Sequence, residues 1–242
     1  MNTNSNTYTV IYTTVVCVLV AAILAFVSQT LKPKQDDNIK AETVGQILSA
    51  ANFEFNASSN DAILKFYKEN IKEAVLIDAQ GNVAGTLDAA TAEVYGTSEL
   101  KAQNYKIADG SYTIPAYEFK NGVTVLALYG AGLWGPVWGY IAVDESGTKI
   151  VSASFDHSSE TPGLGGKIKD DPKFREQFNG KVFDFNDPKE TFSIVKGGAP
   201  EGKQNAIDAI SGATLTSKGV SAAVNNWVDA YKNYLLKKGT EE

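Results

Sequence analysis

The sequence is poor in the side chains that bind metal ions. It holds one histidine, His157, and one cysteine, Cys17, among 242 residues. Zinc sites and iron–sulfur clusters draw on several Cys or His ligands, so we expect no metal site, and a lone cysteine cannot form an intrachain disulfide. His157 is expected to hydrogen-bond within its loop. Chemistry in this chain must therefore come from carboxylates, hydroxyls or a bound organic cofactor.

The sequence also lacks a basic stripe and a nucleotide-binding motif. Its 22 Lys and Arg residues form no long run, and its formal net charge is -6. Nucleic-acid binding depends on clustered positive charge, so no nucleic-acid partner is expected. No Gly-x-Gly-x-x-Gly or P-loop motif stands between a predicted strand and a predicted helix, so we expect no nucleotide-binding site of either kind on this chain.

One long apolar run lies near the N-terminus. Residues 8–31 carry no charge, and at about 1.5 Å per residue they can cross a hydrocarbon core of about 30 Å. No Lys or Arg precedes the run, and Phe26-Val27-Ser28 is a poor cleavage site, which favours an uncleaved anchor over a signal peptide. We predict an N-terminal tail at 1–7 and a single transmembrane helix at 8–31, in contact with a lipid bilayer.

The charges beside this run give a weak signal of orientation. Lys32 and Lys34 follow it, which by the positive-inside rule would place the rest of the chain in the cytoplasm. Acidic residues come directly after them, and long domains translocate largely regardless of charge. We predict a polar juxtamembrane linker at 32–40 and one domain at 41–242.

The remainder predicts an α+β domain with a largely antiparallel sheet and flanking helices. Strand-like segments occur in pairs around tight turns, and Asn121-Gly122 is the strongest of these hairpin signals. Such turns cannot connect parallel strands, which need crossovers of a dozen or more residues. The predicted pairs are 74–78 with 83–87, 112–119 with 123–129, and 138–143 with 149–155.

Helical spacing of apolar residues is found before and after these strands. The predicted helices cover 41–51, 61–71, 172–178 and about 217–236, and a further strand covers 191–195. Asn60 or Asp61 would cap the second helix, and Thr216 or Ser217 would cap the last one.

The segment from Asp208 to Ser217 is turn-prone and comes just before the last helix. A helix N-terminus presents unpaired N–H groups and a positive dipole end, both of which favour an anion such as phosphate. An ordinary helix cap would explain one hydroxyl here, but the segment carries more than a cap requires. Its hydroxyl residues are Ser211, Thr214, Thr216 and Ser217. Gly212 and Ala213 would let a large group approach the backbone.

The string from Asp208 to Thr214 resembles the flavinylation motif Asp-x-x-Ser/Thr-Gly-Ala-Thr of the FMN-binding domain family. The order of anchor, polar stem, hairpins, Glu160-Thr161-Pro162-Gly163-Leu164-Gly165 and this motif is similar to that in C subunits of sodium-translocating NADH:quinone oxidoreductases. The resemblance covers essentially the whole chain. The G subunits of the Rnf electron-transport complex share the motif and anchor and are one alternative; a non-redox, membrane-anchored binding module is the other.

The resemblance implies one FMN, joined covalently through its phosphate to Thr214. The other cofactor-binding residues that we carry over are Ser211, Gly212, Ala213, Leu215, Thr216, Ser217, Trp134, Glu160, Thr161, Gly163, Leu164 and Gly165. Trp134 and Leu164 would cover the two faces of the flavin ring, and Glu160 and Thr161 would bond its polar edge. The hydroxyls of Thr216 and Ser217 would hydrogen-bond the phosphate.

The resemblance also implies a function. The chain would be an electron-carrying subunit of a bacterial inner-membrane complex that oxidises NADH, reduces ubiquinone and exports sodium ions. It would have no catalytic residue and no NADH or quinone site of its own, so NADH would bind to another protein of the complex. Its implied partners are the A, B, D, E and F subunits: an iron–sulfur centre in membrane partners would donate electrons, and a second covalent flavin in the B subunit would accept them. A flavin transferase that recognises Asp208 would attach the cofactor. The resemblance places the domain in the periplasm, against the weak charge signal.

Overall fold

The computed structural model describes residues 5–55, 59–187 and 190–240. The chain divides into two compact units between Lys40 and Ala41. Residues 1–4 of the predicted tail lie outside the described residues.

The first unit consists of helical chain with exposed apolar side chains. Helix α1 (Asn6–Ala50) begins here, and Phe26 exposes 74% of its surface. Among the described residues, α1 is the one helix long and apolar enough to cross a membrane. The segment 32–40, predicted as a linker, is part of helix α1, although Pro33 lies inside the helix and has no N–H for its hydrogen-bond ladder.

The second unit is built on a six-stranded antiparallel sheet. Its strands are β1 (Ile71–Ile77), β2 (Val83–Thr86), β3 (Ile114–Phe119), β4 (Thr124–Ala131), β5 (Pro136–Val143) and β6 (Ile150–His157). They lie in the order β2-β1-β3-β4-β5-β6, and every neighbouring pair is antiparallel. The predicted α+β class, with its antiparallel sheet of hairpins, is confirmed.

Among the described residues, α1 and a short 3₁₀ helix (Ala89–Thr91) are joined by five further α-helices. They are α2 (Asn60–Asn70), α3 (Thr97–Ile107), α4 (Lys167–Asp170), α5 (Pro172–Glu176) and α6 (Thr214–Lys238). The prediction that Asn60 or Asp61 caps α2 is wrong: the side chain of Ser59 accepts the capping hydrogen bond from the Ala62 N–H. Ser59 has the extended backbone that an N-cap needs, whereas Asn60 is already helical.

Helix α6 lies against the sheet and positions the candidate site. The predicted apolar stripe is buried along its length and consists of Val220, Ala223, Val224, Trp227, Val228, Tyr231 and Leu235. Near its start the helix approaches β4 closely, because a Cβ placed on Gly130 would lie 2.6 Å from the Cβ of Ala223. Gly219 likewise faces the carbonyl oxygen of Ala131. Small residues on both elements therefore bring the first turns of α6 to the end of β4.

A second, smaller sheet leads into this helix. Strands β7 (Ser193–Val195) and β8 (Ala206–Asp208) pair in parallel, with Ile194 beside Ile207. The first was predicted as part of 191–195, whereas the second was missed because it is short and holds a single large apolar residue, Ile207. Strand β8 ends at Asp208, so the motif begins where this strand stops.

Candidate functional site

Thr214 is the first residue of α6 and opens the candidate site. Gly212 precedes it with a φ of +80°, a left-handed conformation that glycine adopts without strain. Within the described residues, no hydrogen bond engages the Thr214 hydroxyl or the N–H groups of Thr214, Leu215 and Thr216, and no side chain caps the helix. The site thus combines a half-buried hydroxyl with a bare helix N-terminus.

The prediction that Thr216 or Ser217 caps this helix is wrong. Both lie inside its first turn and are 1% exposed. The Ser217 hydroxyl accepts a hydrogen bond from the Ile210 N–H at 3.0 Å, which fixes the turn before the helix. The Thr216 hydroxyl donates to Glu160 at 2.6 Å. Both hydroxyls are therefore bonded inside the protein, where they hold the motif's shape.

Glu160 joins this helix to the turn between β4 and β5. One carboxylate oxygen, Oε1, accepts hydrogen bonds from the N–H groups of Leu133 at 2.7 Å and Trp134 at 2.9 Å. The other, Oε2, accepts from Thr216. Glu160 was expected at the polar edge of a flavin, yet its two oxygens serve protein donors and its side chain is buried.

Burial and hydrogen bonding act in opposite directions on this carboxyl group. Burial raises the pKa of Glu160, and the bonds from Thr216, Trp134 and Leu133 lower it by more, so its pKa lies below the usual range. The carboxylate is therefore charged at neutral pH, and a buried charge of this kind needs the three donors that it has.

The loop from His157 to Gly166 is held by hydrogen bonds among its own residues. The Nδ1 atom of His157 accepts from the Glu160 N–H at 3.1 Å, as expected of a loop histidine. The Thr161 carbonyl accepts from the N–H groups of Leu164 and Gly166. Gly163 takes a φ of +76° at the exposed tip. This turn holds Leu164 close to the motif, where its Cδ2 would lie 3.0 Å from a Cβ on Gly212.

Four exposed apolar side chains border the start of α6, and we call them the apolar rim. They are Leu133 (45% exposed), Trp134 (67%), Leu164 (44%) and Leu215 (58%). Three were predicted from the sequence. Leu133 was missed, although its place between Gly132 and Trp134 in a turn gave the same signal that singled out Trp134. Large apolar side chains that are exposed side by side indicate a surface that binds a ligand or another macromolecule.

The remaining predicted residues differ in how far they are buried. Ser211 and Thr161 are exposed, whereas Ala213 and Gly165 are buried. Asp208 is exposed at the edge of the motif, and its Oδ1 accepts from the Ala199 N–H at 2.7 Å. The fold therefore brings together the motif, the Gly-rich loop and the Trp134 turn, as a single cofactor site requires.

These residues fit a phosphate-bearing aromatic cofactor. Three unbonded N–H groups at a helix N-terminus suit an anion, and the adjacent hydroxyl of Thr214 can carry it covalently. The apolar rim offers flat and branched side chains to an aromatic ring. No group of three or more His, Cys, Asp or Glu in residues 5–55, 59–187 and 190–240 is placed to hold a metal ion.

Comparison with known proteins points to the same kind of cofactor, one that has a phosphate and an aromatic ring. Residues 132–229 match the FMN-binding domain family, and this stretch contains every predicted site residue. The chain is 31% identical over 217 residues to the C subunit of the Na(+)-translocating NADH-quinone reductase of Vibrio parahaemolyticus, covering 82% of this chain and 81% of the relative. The corresponding C subunit of Neisseria meningitidis is 29% identical over 244 residues, covering 95% and 93%.

Solved structures agree with these relatives. The crystal structure of the C subunit from Parabacteroides distasonis superimposes with a TM-score of 0.70 at 34% identity, covering 85% of this chain and 96% of that one. NqrC of Shewanella oneidensis gives a TM-score of 0.68 at 24% identity, which shows the shared fold. The chain belongs to the family of C subunits of Na(+)-translocating NADH-quinone reductases. This membership favours the quinone reductase C subunits over the G subunits of the Rnf complex, with which they share the motif.

Proposed function

We propose that this chain is the electron-carrying, membrane-anchored C subunit of a sodium-translocating NADH:quinone reductase, with one FMN bound covalently to Thr214. One observation carries the proposal. The last threonine of the motif is the first residue of α6, and its hydroxyl and the adjacent N–H groups have no partner in the part of the chain described. Family membership and the FMN-binding domain support it.

The geometry suggests how the chain would hold the cofactor. A phosphodiester on the Thr214 oxygen keeps one negative charge, which the N–H groups of Leu215 and Thr216 and the helix dipole would stabilise. Trp134 and Leu164 would cover the ring and exclude water from part of it. FMN supplies the capacity to take up and release electrons, while the protein contributes binding, orientation and electrostatics.

The membrane and the other proteins of the complex complete the proposal. Helix α1 would anchor the chain in the bacterial inner membrane, with the domain on the periplasmic side. The A, B, D, E and F subunits would be its partners, and a flavin transferase would attach FMN. Electrons would arrive from a membrane partner and leave to the B subunit, so that NADH oxidation and sodium export are carried out by the complex.

Mass spectrometry tests the covalent bond directly. The chain is produced in cells with a working flavin transferase, and its tryptic peptide 204–218 is sequenced. We expect a riboflavin phosphate adduct on Thr214, with yellow colour and in-gel fluorescence that survive denaturation. An unmodified peptide from such cells would refute the covalent site and favour a non-redox binding module.

Two variants make this experiment specific. Thr214→Ala is expected to abolish the adduct while the domain keeps its circular dichroism spectrum, because its half-buried hydroxyl takes part in no hydrogen bond in the described residues. Ser211→Thr keeps the Ser or Thr that the motif requires and places a second, exposed threonine hydroxyl in the same peptide, and the adduct is expected to stay on Thr214 alone. An adduct that persists in Thr214→Ala would place the attachment elsewhere.

A further inference from the structure

The carboxylate of Glu160 stands at the junction of three segments. It is 4% exposed and belongs to the Gly-rich loop. Its Oε1 bonds the backbone of Leu133 and Trp134 in the turn between β4 and β5, and its Oε2 bonds the side chain of Thr216 in the first turn of α6. One buried group therefore connects the three segments that carry Leu164, Trp134 and Thr214.

Glycines on both sides leave room for this carboxylate. A Cβ on Gly165 would lie against Glu160 Oε2 and 2.6 Å from the Thr216 hydroxyl. A Cβ on Gly132 would lie 2.5 Å from Glu160 Oε1 and 2.8 Å from Val137. Any larger side chain at either position would have to displace the carboxylate. The local sequence is thus matched to a charged group at this junction, where each oxygen has a protein donor.

We propose that Glu160 is a positioning residue that holds the Trp134 turn and the start of α6 in fixed relation before the cofactor arrives. The inference rests on the proposed function, because it concerns the residues that would receive FMN. It differs from a direct bond between Glu160 and the flavin: the carboxylate acts through the backbone of Trp134 and through Thr216. A site ordered in advance avoids the entropy cost of ordering it during binding.

The test compares full-length flavin-free chains in detergent, each labelled with 5-fluorotryptophan. The chain holds three tryptophans, of which Trp227 is buried in α6 and Trp138 is half-buried in β5. Their fluorine resonances report separately on the site, the core and the sheet once assigned by Trp→Phe variants. Hydrogen exchange of the peptide that holds Leu133 and Trp134 is measured on the same samples.

Glu160→Ala is expected to move or broaden the Trp134 resonance alone and to raise amide exchange in the 132–135 turn at least tenfold. Glu160→Gln keeps an acceptor for the two N–H groups and is expected to restore most of the protection. Thr216→Val removes only the bond to α6, so the turn should stay protected. Glu99→Ala is the matched control, because Glu99 also accepts a backbone N–H, from Gly96 at 3.0 Å in α3.

The rate of flavin attachment gives an independent readout. With purified transferase, we expect Glu160→Ala and Thr216→Val to slow attachment at least tenfold and Glu160→Gln less than threefold. An unchanged Trp134 resonance and turn protection in Glu160→Ala would overturn the inference. If that variant does not fold, attachment to folded Thr216→Val at the wild-type rate would overturn it. A wild-type chain that takes no flavin contradicts the proposed function instead, while the flavin-free measurements still decide the role of Glu160.

Discussion

Trp134 shows at the residue scale how a fixed backbone can present an exposed side chain. Its N–H is bound by Glu160, and the Ser159 hydroxyl donates to its carbonyl oxygen at 3.0 Å, yet 67% of its surface is exposed. An exposed indole contributes little to the stability of the fold, so we expect its role to be contact with a ligand. In the proposed site it covers one face of the flavin ring.

Replacing Trp134 by Ala is expected to leave flavin attachment intact but to shift the midpoint potential of the bound FMN. Aromatic stacking is worth about 1 kcal/mol, and if it differs by that amount between the oxidised and reduced cofactor, the shift is about 20 mV. A spectroelectrochemical titration measures it. Tyr105→Ala is the control, because Tyr105 in α3 is 70% exposed and lies outside the rim. Equal potentials in wild type and Trp134→Ala would contradict the stacking role.

The site residues carried over from the resemblance stay a prediction, but the fold brings the segments that hold them together. Leu164 lies beside Gly212 of the motif, and Glu160 bonds both the Trp134 turn and Thr216. No local pattern indicates that the Thr216 hydroxyl turns inward to Glu160, because that bond joins residues 56 positions apart. A hydroxyl near a helix start is expected from the sequence to cap the helix. In the fold, the Thr216 hydroxyl instead donates to the buried carboxylate of Glu160.

At the element scale, the contact between α6 and β4 depends on glycine. Gly219 lies inside α6, where Ala would ordinarily be about 1 kcal/mol more favourable. Here a Cβ would meet the carbonyl oxygen of Ala131 and approach the Cα of Gly132 at 3.2 Å. The first turns of the helix would have to move away from the strand, and with them the start of the candidate site.

Gly219→Ala is therefore expected to destabilise the domain by about 1–3 kcal/mol, as overpacking does. Gly45→Ala is the matched helical substitution: a Cβ at Gly45 would meet only the Cζ of Phe55, at 3.9 Å, so we expect stabilisation of about 0.5–1 kcal/mol. Urea unfolding followed by tryptophan fluorescence measures both. Effects of the same sign in the two variants would contradict this account of the close approach.

The elements that could be predicted are those with a local signal. Turn residues and alternation indicate the hairpins around Asn121-Gly122 and similar turns, and a long apolar stripe indicates α6. Helix α3 was missed because only Leu100 and Gln103 of its residues are buried, so it has almost no apolar periodicity. Strand β8 is three residues long and owes its pairing to β7, which is a tertiary contact.

At the scale of the whole molecule, a buried carboxylate, Glu160, and a half-buried one, Glu118, make the domain sensitive to acid. Burial raises the pKa of Glu118, but hydrogen bonds from Tyr234, Lys238 and Lys72 lower it by more, as happens at Glu160. A carboxyl group whose folded-state pKa is lowered adds stability above its unfolded pKa. That stability is lost as the pH falls through the folded value.

We therefore expect the melting temperature to decrease when the pH is lowered below about 4.5, which is the ordinary pKa of a glutamate side chain. The Glu160→Gln side chain cannot ionise, so the melting temperature of this variant should depend less on pH. The variant should also be less stable than wild type at pH 7. Near-ultraviolet circular dichroism of the full chain in detergent, recorded from pH 3 to pH 7, follows the transition. An acid dependence identical to wild type in Glu160→Gln would show that Glu160 is not charged in the folded protein.

The orientation of the chain in the membrane decides which compartment the candidate site faces. With Cys17→Ser, the chain has no cysteine, so a single Thr240→Cys at the exposed end of the domain becomes a unique label. A periplasmic domain predicts that a membrane-impermeant maleimide labels it in intact cells, whereas Ser5→Cys, before the apolar run, is labelled only after permeabilisation. The reverse pattern would mean that Lys32 and Lys34 determine the orientation, and that the flavin domain faces the cytoplasm.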